Sequence, residues 1–328
     1  MAEKIRIGVV GYGNLGRGVE LSLAQNPDMQ LVGIFSRREA SSIQRVDATV
    51  PVYPLADVAQ FQDQVDVMIL CGGSKDDLPK QGPQLAALFN TVDSFDTHNK
   101  IPEYFAAVDS AAKVGQRAAL ISVGWDPGLF SLNRLYGEAI LPKGQTYTFW
   151  GKGLSQGHSD ALRRVPGVKG AVQYTIPSEE AMERVRTGSC PTLTTREKHT
   201  RDCYVVLEAG ADAQAVEHAI VNMPDYFVDY DTRVSFIDEQ TLQQDHSSMP
   251  HGGFVIRSGQ TGEQSKQVIE FSLALESNPE FTASVLVAYA RAAYRLHAKG
   301  EFGAHSVLDV APSLISPKTP AQLRKELL

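Results

Sequence analysis

Near the amino terminus, the residues Gly11-Tyr12-Gly13-Asn14-Leu15-Gly16 have the spacing GxGxxG. Alone that spacing is a weak sign. Here an apolar run, Ile5–Val10, precedes it and a helix-forming run, Asn14–Gln25, follows. In that setting Gly11 permits a tight turn, Gly13 lets the backbone approach a pyrophosphate, and Gly16 lets helix and strand pack closely. The helix N-terminus then offers unbonded N–H groups and a positive dipole end to the phosphates. About 20 residues further on, an NAD site places Asp or Glu for the ribose hydroxyl. This chain has Ser36-Arg37-Arg38 there. Two guanidiniums without a carboxylate suit a 2′-phosphate, so the expected cofactor is NADP. A solvated basic loop is the plainer alternative for that pair.

Two further loops stand at the expected carboxyl ends of strands, where ligands bind in open α/β sheets. They are Cys71-Gly72-Gly73-Ser74 and Ser94-Phe95-Asp96. The glycines of the first let backbone amides approach a nicotinamide ribose. Cys71 as a reactive thiol is the sharper reading, a small packing residue the commoner one. A different chemistry is offered by Gly153-Leu154-Ser155-Gln156-Gly157, which matches the GxSxG nucleophile elbow, with Asp225 and His251 downstream in Ser…Asp…His order. A hydrolase has no use for a dinucleotide spacing followed by Ser-Arg-Arg. Further alternatives are a non-catalytic NADPH-binding protein on the same scaffold and another amino-acid or hydroxy-acid dehydrogenase of this architecture. The eight histidines show no ligand spacing such as HExxH, so no metal is expected.

Positioning these groups requires a βαβ framework. After Ile5–Val10, strands are expected at Leu31–Phe35, Val52–Tyr53, Val65–Leu70, Asn90–Asp93 and Ala118–Val123. Helices are expected near Ala56–Gln62, around Leu85–Phe89 and at Pro102–Val114. Short apolar runs alternating with helices predict a parallel sheet, so residues 1–123 read as a Rossmann-type dinucleotide-binding domain. Beyond Gly124 the strands lengthen: Gln145–Trp150, Ala171–Ile176, Cys203–Glu208, Arg233–Ile237, Phe254–Ser258 and Gln267–Leu275. Helices at Ser178–Arg186 and Ala213–Asn222 fall between them. Residues 124–281 therefore read as an α+β domain with an open mixed sheet, expected to bind substrate and to dimerise. A strong helix, Thr282–Lys299, opens a terminal segment, about 282–328, expected to complete the first domain.

Bulk properties agree with two domains. A length of 328 residues exceeds what one core usually organises. The formal net charge of −7 disfavours nucleic acid as a partner. Three cysteines without CxxC pairing make a poor disulfide framework and predict reduced thiols in a cytoplasmic protein. Charges in MetAlaGluLysIleArg argue against a signal peptide, and no apolar run is long enough to span a membrane.

Six segments then sharpen the reading: GlyTyrGlyAsnLeuGly (11–16), PheSerArgArg (35–38), SerValGlyTrpAspProGly (122–128), PheTrpGlyLysGlyLeuSerGlnGlyHisSerAspAla (149–161), MetProHisGlyGly (249–253) and AsnProGluPheThrAla (278–283). In this order, over nearly the whole chain, they resemble the NADP-dependent meso-diaminopimelate D-dehydrogenase family. The resemblance implies reversible oxidative deamination at the D-centre of meso-2,6-diaminopimelate, giving L-2-amino-6-oxopimelate and ammonia, in lysine and cell-wall precursor synthesis. It also implies a homodimer. It places Asp96, Asp126, Trp125, Trp150, Gln156 and Gly157 at the reacting D-centre. Thr175, Arg201, His251 and Asn278 fall at the distal L-centre. Val123, Gly124, Trp125, Asp126 and Pro127 join the cofactor set, with Ser74, Ser94, Phe95 and Asp96. Residue chemistry agrees: ionised Asp96 and Asp126 accept from an ammonium group, and Arg201 can clamp a carboxylate. Asp126 is the first candidate for proton acceptor, although Trp-Asp-Pro-Gly is also a strong turn.

Overall fold

The structure, a computed structural model, describes residues 4–328. Its described residues divide into two compact units, residues 4–132 with 279–328 and residues 133–278. The divisions fall just inside two helices, Leu129–Ile140 and Asn278–Ala298, rather than at 123/124 and 281/282.

The first unit is built on seven parallel strands in the order Gly303–His305, Ala118–Leu120, Asn90–Asp93, Val67–Leu70, Ile5–Val10, Met29–Ser36 and Val52–Pro54. The strands are buried on both faces, as the near-continuous apolar runs Ile5–Val10 and Val67–Leu70 require. One face packs Ile7, Val9, Ile34 and Ile69 against Val19 and Leu23 of the helix Asn14–Ala24 and Leu286, Ala290 and Ala293 of Asn278–Ala298. The other packs Phe35, Met68 and Leu70 against Leu85, Tyr104 and Val108. The Rossmann-type expectation holds.

The terminal segment completes this unit. Ten residues of Asn278–Ala298 are buried, and its Arg291, 1 % exposed, grips Asp28 through two hydrogen bonds of 2.6 and 2.8 Å. The edge strand Gly303–His305 pairs with Ala118–Leu120 and was not anticipated; three residues leave no readable alternation. The helix expected around Leu85–Phe89 spans Leu78–Ala86, its start masked by Pro79 and its interior by Pro83. The segment near Ala56–Gln62 is a 3₁₀ helix, Leu55–Phe61.

In the second unit the expected strands form a mixed sheet region whose hydrogen bonding is divided in two. Asp231–Phe236, His199–Leu207, Val168–Pro177 and Gly153–Leu154 make one part; Ser265–Leu275, His251–Thr261 and Gly144–Trp150 make the other. Only the pairing of His199–Leu207 with Asp231–Phe236 is parallel. Among the described residues no helix is long and apolar enough to cross a membrane.

Candidate functional site

In the first unit, the strand Ile5–Val10 runs into Gly11, whose φ of +88° is the left-handed conformation that glycine adopts freely. A Cβ at Gly16 would run into the Gly11 carbonyl, so the tight strand–helix turn excludes any larger residue there. Gly13 caps the helix Asn14–Ala24 without a side-chain hydrogen bond. Its first-turn amides therefore have no capping side chain to satisfy them, the geometry that receives a pyrophosphate. Gly11, Tyr12 and Gly13 line a cavity of about 260 Å³ together with Ser36, Arg37, Arg38, Cys71, Gly72, Asp77 and Gln81. The motif and the basic loop thus meet in one place. Arg38 donates its guanidinium to the Tyr12 carbonyl, and its amide to Ser36 Oγ at 3.0 Å. Arg37 pairs with Asp77 at 2.8 Å while remaining 70 % exposed. Asp77 was not singled out in the sequence: it lies far along the chain from the strand tip where a ribose ligand was sought. Cys71 also faces this cavity. Burial pushes its thiol up to about 12, so it stays protonated, which fits a packing residue and not a nucleophile.

The adjacent strand ends carry the two acidic candidates. Asp96 is exposed, and its amide donates to Ser74 Oγ at 3.1 Å, linking the Gly72-Gly73-Ser74 loop to the Ser94-Phe95-Asp96 loop. Asp126 lies in the turn Trp125–Gly128, closed by a bridge between those residues and containing a cis Asp126–Pro127 peptide. Trp125 is buried, edge-on to Phe130. Val123 donates its amide to the Asp93 carbonyl at 2.8 Å, and Gly124 accepts from the Leu129 amide at 3.0 Å.

In the second unit, antiparallel pairing of Val168–Pro177 with His199–Leu207 sets Thr175 directly opposite Arg201. Both are buried, and the guanidinium donates to the Thr175 hydroxyl and covers the Tyr230 ring at 3.9 Å. No carboxylate among the described residues pairs with Arg201, and its Nε has no hydrogen-bond partner. Burial lowers its pKa, and the Tyr230 hydroxyl and the Cys203 thiol offset that effect only in part. Gln173, two residues before Thr175, also has a buried, unpartnered Oε1. His199 lies two residues before Arg201 on the same strand face, accepts the Trp150 amide at 2.9 Å, and stacks against the Trp150 ring. Burial, then the charge of Arg201, pushes His199 down to about 3; the same causes push His158 down to about 4. Both imidazoles are neutral at pH 7, leaving Arg201 as the buried cation of this cluster. The sequence reading passed over His199, His158 and Gln173; the period-2 spacing that puts His199 on the face of Arg201 and Gln173 on that of Thr175 was a signal that could have reached two of them.

Gln156 donates to Met249 Sδ at 3.2 Å, and the Asn278 amide donates to the Met249 carbonyl at 3.0 Å. Gly153 leaves room for the His251 ring, and Gly157 sits exposed in the first turn of Gln156–Arg163. The second unit therefore gathers Trp150, Gln156, Thr175, Arg201, His251 and Asn278 on neighbouring elements. The hydrolase arrangement is not assembled. Ser155 Oγ is 2.8 Å from His158 Nδ1, whose ring lies against Tyr226 and Phe227. His251 Nδ1 takes the Gly252 amide at 2.8 Å, and Asp225 makes no hydrogen bond to it. Among the described residues, no group of three or more His, Cys, Asp or Glu is arranged to hold a metal ion.

Comparison with known proteins bears on this arrangement. Residues 124–277 match the family model of the diaminopimelic acid dehydrogenase C-terminal domain. The chain is 64 % identical to the meso-diaminopimelate D-dehydrogenase of Lysinibacillus sphaericus, with 99 % of each chain covered. It is 51 % identical to that of Corynebacterium glutamicum, with 96 % of each covered. Among solved structures, the C. glutamicum DAP dehydrogenase in complex with DAP aligns with a TM-score of 0.92 at 50 % identity, covering 99 % of both chains. A six-residue variant of the Clostridium tetani meso-DAP dehydrogenase, also with DAP, aligns at 0.94 and 55 % identity over 99 % of this chain and 100 % of that one. An engineered D-amino acid dehydrogenase bound to NADP+ aligns at 0.86 and 48 % identity, with 99 % and 100 % covered.

Proposed function

This chain belongs to the meso-diaminopimelate D-dehydrogenase family, and from that premise we propose that it oxidatively deaminates the D-centre of meso-2,6-diaminopimelate with NADP. The products are L-2-amino-6-oxopimelate and ammonia, and the reaction is reversible. The observation that carries the reading is the buried guanidinium of Arg201, which meets the Thr175 and Tyr230 side chains but no carboxylate among the described residues. Burying a charge without a partner costs several kcal/mol, so the site is built to receive a ligand carboxylate.

The dinucleotide cradle fits NADP on its own chemistry. Gly11, Gly13 and the uncapped helix start would hold the pyrophosphate, and Arg37, Arg38 and Ser36 the 2′-phosphate. When bound, NADP supplies the hydride acceptor. The chain's own work is to present the substrate. Arg201, Thr175, His251 and Asn278 hold the distal carboxylate and ammonium. Asp96 and Asp126, with Trp125, Trp150, Gln156 and Gly157, hold the reacting end. Asp126 takes a proton from the D-ammonium, so that the carbon loses hydride from a neutral amine. Water then adds to the resulting imine, and ammonia leaves.

The C. tetani variant, solved with DAP, supports placing these residues at the substrate, Gln156 of the reacting end among them. Its six altered residues are Gln, Thr, Arg, Pro, His and Asn; this chain has the same types, in the same order and at the same spacings, at Gln156, Thr175, Arg201, Pro250, His251 and Asn278. Pro250 thereby joins a set that the sequence reading had drawn without it. The reading also includes a substrate-binding and dimerising second unit, a homodimer, and a cytoplasmic location. The unbridged thiols Cys71, Cys190 and Cys203 fit a reducing compartment. Light scattering on the purified protein tests the dimer. The activity is tested by incubating it with NADP and meso-diaminopimelate and measuring both products. One ammonia per NADPH formed is expected; no NADPH, or NADPH formed without ammonia, would contradict deamination.

A further inference from the structure

Asp93 closes the strand Asn90–Asp93 and is 1 % exposed. Its Oδ1 accepts the amide of Phe95 at 3.0 Å and the amide of Ser122 at 3.2 Å. Its Oδ2 accepts the Tyr104 hydroxyl at 2.6 Å. Phe95 immediately precedes Asp96, and Ser122 opens the Ser122–Gly128 segment that carries Asp126. One buried carboxylate thus bonds the main chain of both loops that bear the acidic candidates. Tyr104, besides binding Oδ2, stacks on Phe95 at 4.1 Å, and Gly82 leaves the room its hydroxyl occupies. Ser122 is held at φ +56°, a region that residues with a side chain enter rarely. Its own hydroxyl is buried without a partner, so it is the main-chain bond to Asp93 that anchors the segment's start.

A buried carboxylate is a demanding way to satisfy two amides. Burial pushes Asp93 up to about 6, against the pull of its three donors. Its geometry uses both oxygens and spans two loops, more than a single turn needs.

We propose that Asp93 is a positioning residue of the dehydrogenase reaction, fixing the Asp96 and Asp126 loops relative to each other without touching substrate. This rests on the assignment of Asp96 and Asp126 to the reacting centre.

Asp93→Asn keeps a carbonyl oxygen for the two amides and presents its NH2 to Tyr104, whose hydroxyl reverses to accept. Asp93→Ala removes the acceptor altogether. Tyr104→Phe leaves the grip on Phe95 and Ser122 intact while removing a buried hydrogen bond. Steady-state kinetics, NADPH binding by fluorescence and thermal unfolding are measured on all three. Asp93→Ala is expected to lose kcat by about tenfold or more and NADPH affinity by clearly less, since Phe95 and Asp96 also stand in the cofactor set, whereas Asp93→Asn stays within about threefold in kcat. Tyr104→Phe is expected to unfold at lower temperature with kcat unchanged. Three results each overturn the proposal: wild-type kcat in Asp93→Ala, a loss of NADPH affinity there as large as the loss of kcat, or a kcat in Tyr104→Phe that falls with its stability. If Asp93→Ala yields no folded protein, the other two decide: an inactive Asp93→Asn overturns the proposal, and activity in both supports it. Asp96→Asn and Asp126→Asn are run alongside. Normal turnover in those two defeats the reading of the reacting centre, whereas their impairment beside a fully active Asp93→Ala defeats the positioning role alone.

Discussion

Arg37 Nη2 and Asp77 Oδ1 stand 2.8 Å apart at the rim of the dinucleotide cavity, so the arginine offered to a phosphate is held by a carboxylate from the loop that follows the strand Val67–Leu70. Asp77 is itself anchored, its Oδ2 accepting the Gly73 amide at 3.1 Å. A phosphate arriving at Arg37 must share or displace this pair. Losing one charge-assisted hydrogen bond costs roughly 1.5–3 kcal/mol, so Arg37→Ala or Arg38→Ala should weaken NADP by about 10- to 150-fold and NAD much less. Asp77→Asn acts in the opposite direction. Exposed ion pairs are worth at most about 1 kcal/mol, so NADP should tighten by no more than about fivefold. Titration of each variant with both cofactors checks this. Equal losses for NADP and NAD in the arginine variants would show that they do not read the 2′-phosphate.

Asp126→Asn should leave the fold intact and lower kcat strongly, because an amide neither binds ammonium as a carboxylate does nor takes its proton. Circular dichroism and NADPH binding establish the fold, and initial rates the effect. Near-normal turnover in a folded variant removes Asp126 from the mechanism.

Arg201 and Thr175 should set specificity. An apolar D-amino acid shares the reacting centre but leaves the buried guanidinium unpaired, and an unpaired buried charge costs more than a missing contact gains. The wild type should therefore reject D-leucine by a wide margin. Arg201→Met with Thr175→Ile should raise activity on D-leucine and collapse it on meso-diaminopimelate, with selectivity for the D-enantiomer kept. Kinetics on both enantiomers and both substrate types decide it; a double variant that still prefers meso-diaminopimelate would mean these residues do not hold the distal centre.

Arg291 and Asp28 should hold the terminal helix in the first unit. Arg291 is buried but Asp28 is 34 % exposed, so Asp28→Ala should be destabilised at neutral pH by less than the roughly 3–5 kcal/mol of a fully buried pair. The side-chain hydrogen bonds from Arg291 hold the Asp28 carboxyl below the usual range. For a lowered carboxylate, this stability is present above the unfolded pKa, about 3.9, and fades as pH falls through the lower folded value. Urea titrations of wild type and Asp28→Asn should therefore differ widely at pH 7 and converge below about pH 4. A gap that does not change with pH would deny the charge its part.

The dinucleotide-binding sheet was legible because its signals are local. The turn glycines, the strand ahead of them and the arginines after the second strand lie within some thirty residues, and each constrains the backbone by itself. The terminal helix was legible as a helix from its apolar face, but its Arg291–Asp28 pair joins residues at opposite ends of the sequence. The substrate side was read through resemblance, since Thr175 and Arg201 become neighbours only by strand register. His199 and Asp93 were missed for the same kind of reason. One matters through the strand face it shares with Arg201, the other through amides on two separate loops. The first leaves only the i, i+2 spacing common to every strand, and the second leaves no mark in residue spacing. The edge strand Gly303–His305 is too short to announce itself, and exists because Ala118–Leu120 offers it a free edge.

The account's central claim is that the chain oxidises one stereocentre of a two-headed amino acid, with Arg201 and its neighbours reading the other. The most direct measurement is NADP reduction by the purified protein with meso-, LL- and DD-diaminopimelate at equal concentration. The account predicts turnover with the meso isomer and little with the other two, because LL lacks a D-centre to oxidise and DD presents the wrong hand at the distal groups. Comparable rates with all three, or a preference for the LL isomer, would contradict it.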